Sequence, residues 1–136
     1  MPDTPAVAVV RSIYAHMAAK DFGALFELLD PNIVVTQDSR LPWGGEHHGL
    51  DGFATFGLTL GENIESAVTI EAVFEADGDV IQAGRTKGTT RATGNPFDIP
   101  EVHRWTIRDG KAVRAHMSID TPAMLAALGI DDRPAD

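Results

Sequence analysis

The 136-residue sequence contains no cysteine. This absence excludes disulfide bonds, thiol nucleophiles and cysteine-ligated metal sites. The sequence also lacks an apolar run of about 18 residues and a basic, apolar N-terminal segment, so we expect neither a membrane span nor secretion. A protein without disulfides or targeting signals is expected in a reducing cytoplasm.

Basic residues are scarce as well, with 11 Lys and Arg against 20 Asp and Glu and a net charge of −9. Binding to nucleic acid or to an anionic membrane requires clustered basic side chains, so we exclude both as partners. A phosphate-binding glycine loop, a nucleotide fingerprint and a nucleophilic serine motif are absent too. We therefore predict a site that works without a cofactor.

The adjacent histidines His47 and His48 are the strongest candidates for metal ligands. Neighbouring side chains in extended structure point to opposite faces, and no third ligand stands at a recognised spacing. We therefore predict no metal site.

The chain length and the 43% hydrophobic content suit one globular domain with one core. We predict a single domain over residues 1–130 and a polar C-terminal tail over residues 131–136.

Helical signals dominate the first part of the chain. Thr4 and Pro5 have the features of an N-cap and a first helical residue. Apolar residues then recur on one helical face, among them Val9, Ile13 and Met17. We predict a first helix to about Lys20, a short second helix, and a third helix after a loop at residues 38–49.

Strand signals dominate the second part, where apolar and polar residues alternate from Val68 onward. Asp77-Gly78 and Asp109-Gly110 are predicted hairpin turns. Helices gathered on one side of a curved antiparallel sheet give an α+β fold whose concave face holds the core and, often, a cavity.

Counting outward from Asp109-Gly110 pairs Trp105 with Arg114 and His103 with His116. One face of this hairpin would then carry two histidines. Counting from the other turn places Arg85 in an otherwise apolar row, where it needs a partner or water.

Two passages, PWGGEHHGLDGFATF and VHRWTIRDGKAVRAHMSIDTPAML, resemble the SnoaL-like polyketide cyclases of the nuclear transport factor 2-like superfamily. The resemblance implies a cone-shaped α+β fold, with a curved antiparallel sheet and the N-terminal helices on its concave face. In the cyclases, a histidine on the penultimate long strand and an aspartate that ends the last strand act on the substrate. The matching positions are His103 and Asp120, which the resemblance implies are catalytic.

An imidazole near a carboxylate is independently suited to moving protons near neutral pH. The pairing count separates His103 from Asp120 by about 13 Å along the strands, so a substrate or water would have to bridge them. The alternatives are that Asp120 caps the last helix and that His103 is a hydrogen-bonded interior histidine.

Further candidate substrate-binding residues are Asp38, Trp43, Phe56, Arg85, Trp105 and His116. Arg85 suits a carboxylate or enolate oxygen of a ligand, and isomerase-like relatives place a general base near Asp38. The aromatic rings suit the walls of an apolar pocket. The alternatives are a salt bridge from Arg85 to Glu71 or Glu101, a loop acid at Asp38, aromatic residues in the core and an exposed His116.

Two functions fit these residues. The first is a cyclase, isomerase or hydratase that moves a proton on a small apolar, carbonyl-containing ligand. The second is a non-catalytic ligand-binding or dimerisation domain of the same fold. An open pocket reached by both His103 and Asp120 favours the enzyme, and burial of both against protein partners favours the second function.

A homodimer is expected in either case, because an outward row of mixed apolar and polar side chains suits contact between two sheets. The row comprises Val102, Arg104, Thr106, Val113, Ala115 and Met117.

Overall fold

A computed structural model describes residues 3–131 and shows an α+β fold. The helices are α1 (Pro5–Ala19), α2 (Phe22–Glu27), α3 (Gly49–Asn63) and α4 (Thr121–Leu128). The strands are β1 (Leu29–Gln37), β2 (Gly45–His48), β3 (Ile64–Ala76), β4 (Asp79–Thr90), β5 (Pro96–Arg108) and β6 (Lys111–Ile119). Apart from Asp131, the predicted polar tail lies outside the described residues.

The strands form one sheet in the order β2-β1-β6-β5-β4-β3. All neighbours are antiparallel except β1 and β6, which run parallel, so the sheet is mixed where the sequence predicted an antiparallel one. The α+β fold class itself is confirmed. We call the face of the sheet that packs on α1 the inner face, and the opposite face the outer face.

Helix α1 begins with the signal that the sequence predicts and ends close to the predicted Lys20. The Thr4 hydroxyl accepts a hydrogen bond from the Val7 amide, and the chain leaves the helix at Lys20 in the left-handed conformation. The buried face of the helix consists of Val7, Val10, Ile13 and Tyr14. Tyr14 therefore lies on the side that faces the sheet.

Two glycines on β4 allow a close approach of β3. A Cβ atom on Gly84 would overlap the carbonyl oxygen of Thr69, and one on Gly88 would overlap that of Glu65. Strands β3 and β4 come this close only because both positions lack a side chain.

The turn between β5 and β6 forms at Asp109 and Gly110, with φ angles of 52° and 76°. A bulge at Val113 then shifts the pairing by one residue, so that Trp105 lies opposite Ala115 and His103 opposite Met117. The predicted pairing of His103 with His116 is therefore wrong.

The shift turns β6 over relative to the prediction, because side chains alternate between the faces of a strand. Ala115 and Met117, predicted to point outward, are buried on the inner face. His116 lies opposite Arg104 on the outer face. His103 keeps its predicted face, which it shares with the buried Glu101 and Trp105.

Candidate functional site

Five residues bring polar atoms together where α1 meets the inner face of the sheet. We call them the interior polar cluster: Tyr14, Gln82, Glu101, His103 and Trp105. Tyr14 comes from α1, Gln82 from β4, and the other three alternate along β5. All five are buried. A polar group of this size inside a core is costly unless its members bind one another.

The Tyr14 hydroxyl is the centre of the cluster. Trp105 Nε1 donates a hydrogen bond to it at 2.9 Å, and Gln82 Nε2 donates at 3.2 Å. His103 Nδ1 lies 2.6 Å from the same oxygen, and the two rings stack with an interplanar angle of 13°. Burial raises the pKa of Tyr14, so the phenol keeps its proton.

His103 is neutral in this environment. Burial, with a smaller contribution from the charge of His116, lowers the pKa of His103 from 6.5 to about 3. The side chain retains 9% exposure, and within the described part of the chain no hydrogen bond engages Nε2. One ring nitrogen is therefore held by Tyr14, and the other has no hydrogen-bond partner among residues 3–131.

Glu101 is the acidic member of the cluster, with 1% side-chain exposure. Its Oε2 accepts a hydrogen bond from Gln82 Nε2 at 2.5 Å and lies 3.5 Å from His103 Nδ1. Burial raises the pKa of Glu101 against the opposing effect of the Gln82 hydrogen bond. Because the imidazole is neutral, the contact between Glu101 and His103 is not an ion pair.

A pocket of about 410 Å³ opens where β1 diverges from the end of β6. We call it the rim pocket; it is lined by Asp38, Arg40 and residues 116–122. Asp120 lies in this pocket, where its Oδ1 accepts a hydrogen bond from the Ala123 amide and caps α4.

Two more predicted site residues, Asp38 and His116, line the rim pocket. Arg40 binds both carboxylate oxygens of Asp38 and lowers the pKa of Asp38 to about 2. His116 Nδ1 lies 2.6 Å from the hydroxyl of Thr36. The rim pocket therefore contains an ion-paired acid, a helix-capping acid and an exposed imidazole.

The interior polar cluster and the rim pocket are neighbours but separate. Met117 and Ile119 line the rim pocket and pair across strands with His103 and Glu101 respectively. Cross-strand partners have Cβ atoms about 4.5–5.5 Å apart, so the pocket comes within one side chain of the cluster. The structure thus places His103 and Asp120 in two adjacent sites.

Arg85 lies away from both sites. It is on the outer face of β4, where its Nε binds Asp98 Oδ1 at 2.6 Å. The predicted alternation of faces along β4 is correct, but the row that contains Arg85 is on the outer face. The inner face of β4 carries Val80, Gln82 and Thr86. Arg85 therefore forms a salt bridge, and its partner is neither of the two glutamates considered from the sequence.

The three predicted aromatic walls are core residues. Trp43 and Trp105 are 1% and 0% exposed, and each indole N–H has a protein acceptor. Phe56 packs against His47. His47 and His48 face opposite sides of β2, as predicted, and no group of three potential ligands close enough for a metal occurs within residues 3–131.

Sequence reasoning missed Tyr14 and Gln82 and did not assign a role to Glu101. Tyr14 is the one tyrosine of the chain and directly follows Ile13 on the first helix. Gln82 stands in a strand whose neighbouring residues are largely apolar, and Glu101 has the same parity as His103. A polar residue within an apolar pattern was the available signal.

A family model for the SnoaL-like domain matches residues 10–115. The chain belongs to the SnoaL-like domain family. The matched stretch contains every member of the interior polar cluster and ends before Asp120 and α4. A search of curated proteins finds no match to this SnoaL-like chain.

Solved structures show the nuclear transport factor 2-like fold throughout the SnoaL-like chain. One such protein from Burkholderia thailandensis is 27% identical, with a TM-score of 0.84 and coverage of 98% of this chain and 100% of its own. TerC, co-crystallised with polyporic acid, is 22% identical, with a TM-score of 0.84 and coverage of 93% and 99%. A candidate isomerase from Bacillus subtilis is 23% identical, with a TM-score of 0.78 and coverage of 93% and 94%.

None of the helices within residues 3–131 is long and apolar enough to cross a membrane.

Proposed function

We propose that this SnoaL-like chain is a cofactor-independent enzyme that moves a proton on a small, apolar, carbonyl-containing ligand. His103 is the catalytic residue that binds the reacting oxygen of the ligand, and the reaction is a cyclisation, isomerisation or hydration. The observation that carries the proposal is a neutral, buried imidazole with one nitrogen held by Tyr14 and the other unengaged within the described chain. Such a group can donate a hydrogen bond to the reacting oxygen of a ligand without water competing for it.

The rim pocket is the proposed entrance. A ligand in this pocket reaches His103 when the side chains of Met117 and Ile119 move aside, and methionine adapts its shape readily. Asp120 then polarises the ligand or a bound water from the entrance, while Asp38 and His116 bind the polar end of the ligand. Trp43, Phe56 and Trp105 support the site as rigid core.

The proposed activity is tested by hydrogen exchange at the α-carbon of small aromatic and polycyclic ketones in D₂O, followed by NMR. We expect the wild type to catalyse exchange of at least one ketone and His103→Ala to abolish it. His48→Ala is the matched control, because His48 is an exposed histidine outside both sites. Full exchange by a folded His103→Ala protein would reject the proposal.

A non-catalytic ligand-binding or dimerisation domain is the second candidate. Burial of His103 against protein side chains favours this candidate. Both members of the stacked Tyr14–His103 pair are buried. Ketones that bind the wild type without any exchange would favour this candidate.

A homodimer through the outer face is part of either proposal. Phe74 and Val102 are 47% and 48% exposed there, beside the half-buried Ile81 and Ala83. This apolar patch replaces the predicted row, from which Ala115 and Met117 are excluded by their burial. A cytoplasmic location is likewise proposed, and it rests on the absence of cysteine.

A further inference from the structure

We propose that Tyr14 is a positioning residue that fixes His103 in the tautomer with its proton on Nε2. His103 then presents a hydrogen-bond donor to the ligand, which identifies the ligand class as one with a carbonyl or enolate oxygen at the reacting centre. The consequence for the ligand rests on the proposed function. The tautomer itself is a property of the free protein.

A count of the protons on Tyr14 leads to this tautomer. A tyrosine hydroxyl has one proton to donate and two lone pairs to accept with. Trp105 Nε1 and Gln82 Nε2 are both donors, so they occupy the two lone pairs of Tyr14. The single proton of the hydroxyl is left for His103 Nδ1 at 2.6 Å. Nδ1 is therefore an acceptor, and the proton of the neutral ring is on Nε2.

Glu101 supports this tautomer because its burial raises its pKa and disfavours a negative charge beside Nδ1. A carboxylate 3.5 Å from Nδ1 would attract a proton to that nitrogen and oppose the hydrogen bond from Tyr14. Glu101 has 1% side-chain exposure, and among residues 3–131 the single donor bonded to its carboxyl group is Gln82. One donor is too few to hold a buried negative charge, so the protonated acid is favoured.

Three titratable groups lie around His103. They are Tyr14 on α1, Glu101 on β5 and His116 on the outer face of β6. Burial raises the pKa of both Tyr14 and Glu101. A positive charge on His116 opposes a second proton on His103. All three effects favour a neutral ring.

The fixed tautomer gives His103 a defined role toward a ligand. A neutral imidazole with Nε2–H polarises a carbonyl oxygen by donating a hydrogen bond, and it stabilises the enolate that forms when the α-proton passes to the water that Asp120 polarises. It cannot remove that proton itself through Nε2 in this state, because Nε2 has no free lone pair.

The test is ¹⁵N NMR of histidine-labelled, ligand-free protein between about pH 5 and 8, a range where an ordinary histidine titrates. For the wild type we expect an unprotonated Nδ1 and a protonated Nε2 on His103 throughout. A proton on Nδ1, or an imidazolium in this range, would overturn the proposal whether or not the protein is catalytic.

Tyr14→Phe identifies the residue responsible. It keeps the ring and removes the hydroxyl, so we expect a mixture of the two tautomers and an exchange rate about 10- to 100-fold lower on any active ketone. Thr36→Val is the matched control, because it removes the hydroxyl beside His116 and should leave His103 unchanged. An unaltered His103 tautomer in folded Tyr14→Phe would show that Tyr14 does not fix it.

Discussion

His103 and His116 lie on neighbouring strands, and each has Nδ1 at 2.6 Å from a hydroxyl oxygen, that of Tyr14 or of Thr36. Their surroundings differ. His103 lies on the inner face with 9% side-chain exposure, and burial lowers its pKa to about 3, whereas His116 is exposed on the outer face. The same local contact therefore lies in a buried environment for one histidine and an exposed one for the other, and the face of the sheet decides which.

The difference between the two histidines depends on one extra residue. Without the bulge at Val113 the hairpin count would place both histidines on one face. With it, Met117 replaces His116 as the partner of His103 and separates the interior polar cluster from the rim pocket. A second imidazole is thereby kept out of the cluster.

The largest expected effect is on the free energy of unfolding, and it comes from a substitution on the buried helix that covers the inner face. Ile13→Asp places an unpaired charge on a fully buried face of α1, next to Tyr14. We expect a loss of about 4 kcal/mol or more in the free energy of unfolding, measured by chemical denaturation. A variant as stable as the parent would show that α1 does not cover the inner face.

A smaller difference is expected between the two histidine-to-alanine variants. His103→Ala leaves the Tyr14 hydroxyl without its acceptor, so we expect a folded protein with about 1–3 kcal/mol less stability. His116→Ala removes an exposed side chain and should change stability by no more than about 0.5 kcal/mol. Equal losses in the two variants would contradict the assignment of the faces.

The pH dependence of stability is a second way to distinguish His103 from His116. The pKa of His103 is about 3 in the folded protein against 6.5 ordinarily, so the unfolded chain binds more protons below pH 6.5. The stability contributed by the neutral ring is fully present above pH 6.5 and is lost as the pH falls toward 3. The slope is at most about 1.4 kcal/mol per pH unit.

Urea unfolding at several pH values measures this slope. His103→Ala should reduce it, and His116→Ala should retain most of it. Glu101 acts in the opposite direction, because its raised pKa means that its contribution is lost as the pH rises. A wild type without acid destabilisation between pH 6.5 and 3 would contradict a neutral, buried His103.

The smallest effect on folding is expected on the outer face. Val102→Asp changes a residue that is 48% exposed and should alter monomer stability by about 0.5 kcal/mol or less. If the outer apolar patch joins two copies, light scattering should nevertheless show a dimer for the wild type and a monomer for this variant. A wild-type monomer at high micromolar concentration would reject the dimer.

Local sequence signals predicted most elements of the fold, but neither β2, which lies within the predicted loop at residues 38–49, nor the register of the last hairpin. Thr4, Pro5 and the Asp109-Gly110 turn act through their own backbone geometry, so the N-terminal helix and the last hairpin could be predicted. The bulge at Val113 has no such signal, because it arises from how two strands fit the curved sheet. One shifted residue then changed the predicted environment of His116, Ala115 and Met117.

The candidate site was predicted in part for the same reason. His103 could be placed beside Glu101 and Trp105 by parity alone, since all three stand on one strand. Its contact with Tyr14 joins residues 89 positions apart, and no local pattern indicates such a pair. Asp120 illustrates the converse, because its position before Thr121 and Pro122 made a helix cap predictable.

The central claim is that His103, rather than His116, meets the reacting oxygen of a ligand. A high-resolution crystal structure after soaking with the small aromatic and polycyclic ketones tests this claim most directly. We predict a ligand that enters by the rim pocket, displaces Met117 and places its carbonyl oxygen about 2.7–3.1 Å from His103 Nε2. A ligand bound at Asp120 and His116, with Met117 still covering His103 and no contact to Nε2, would contradict the claim.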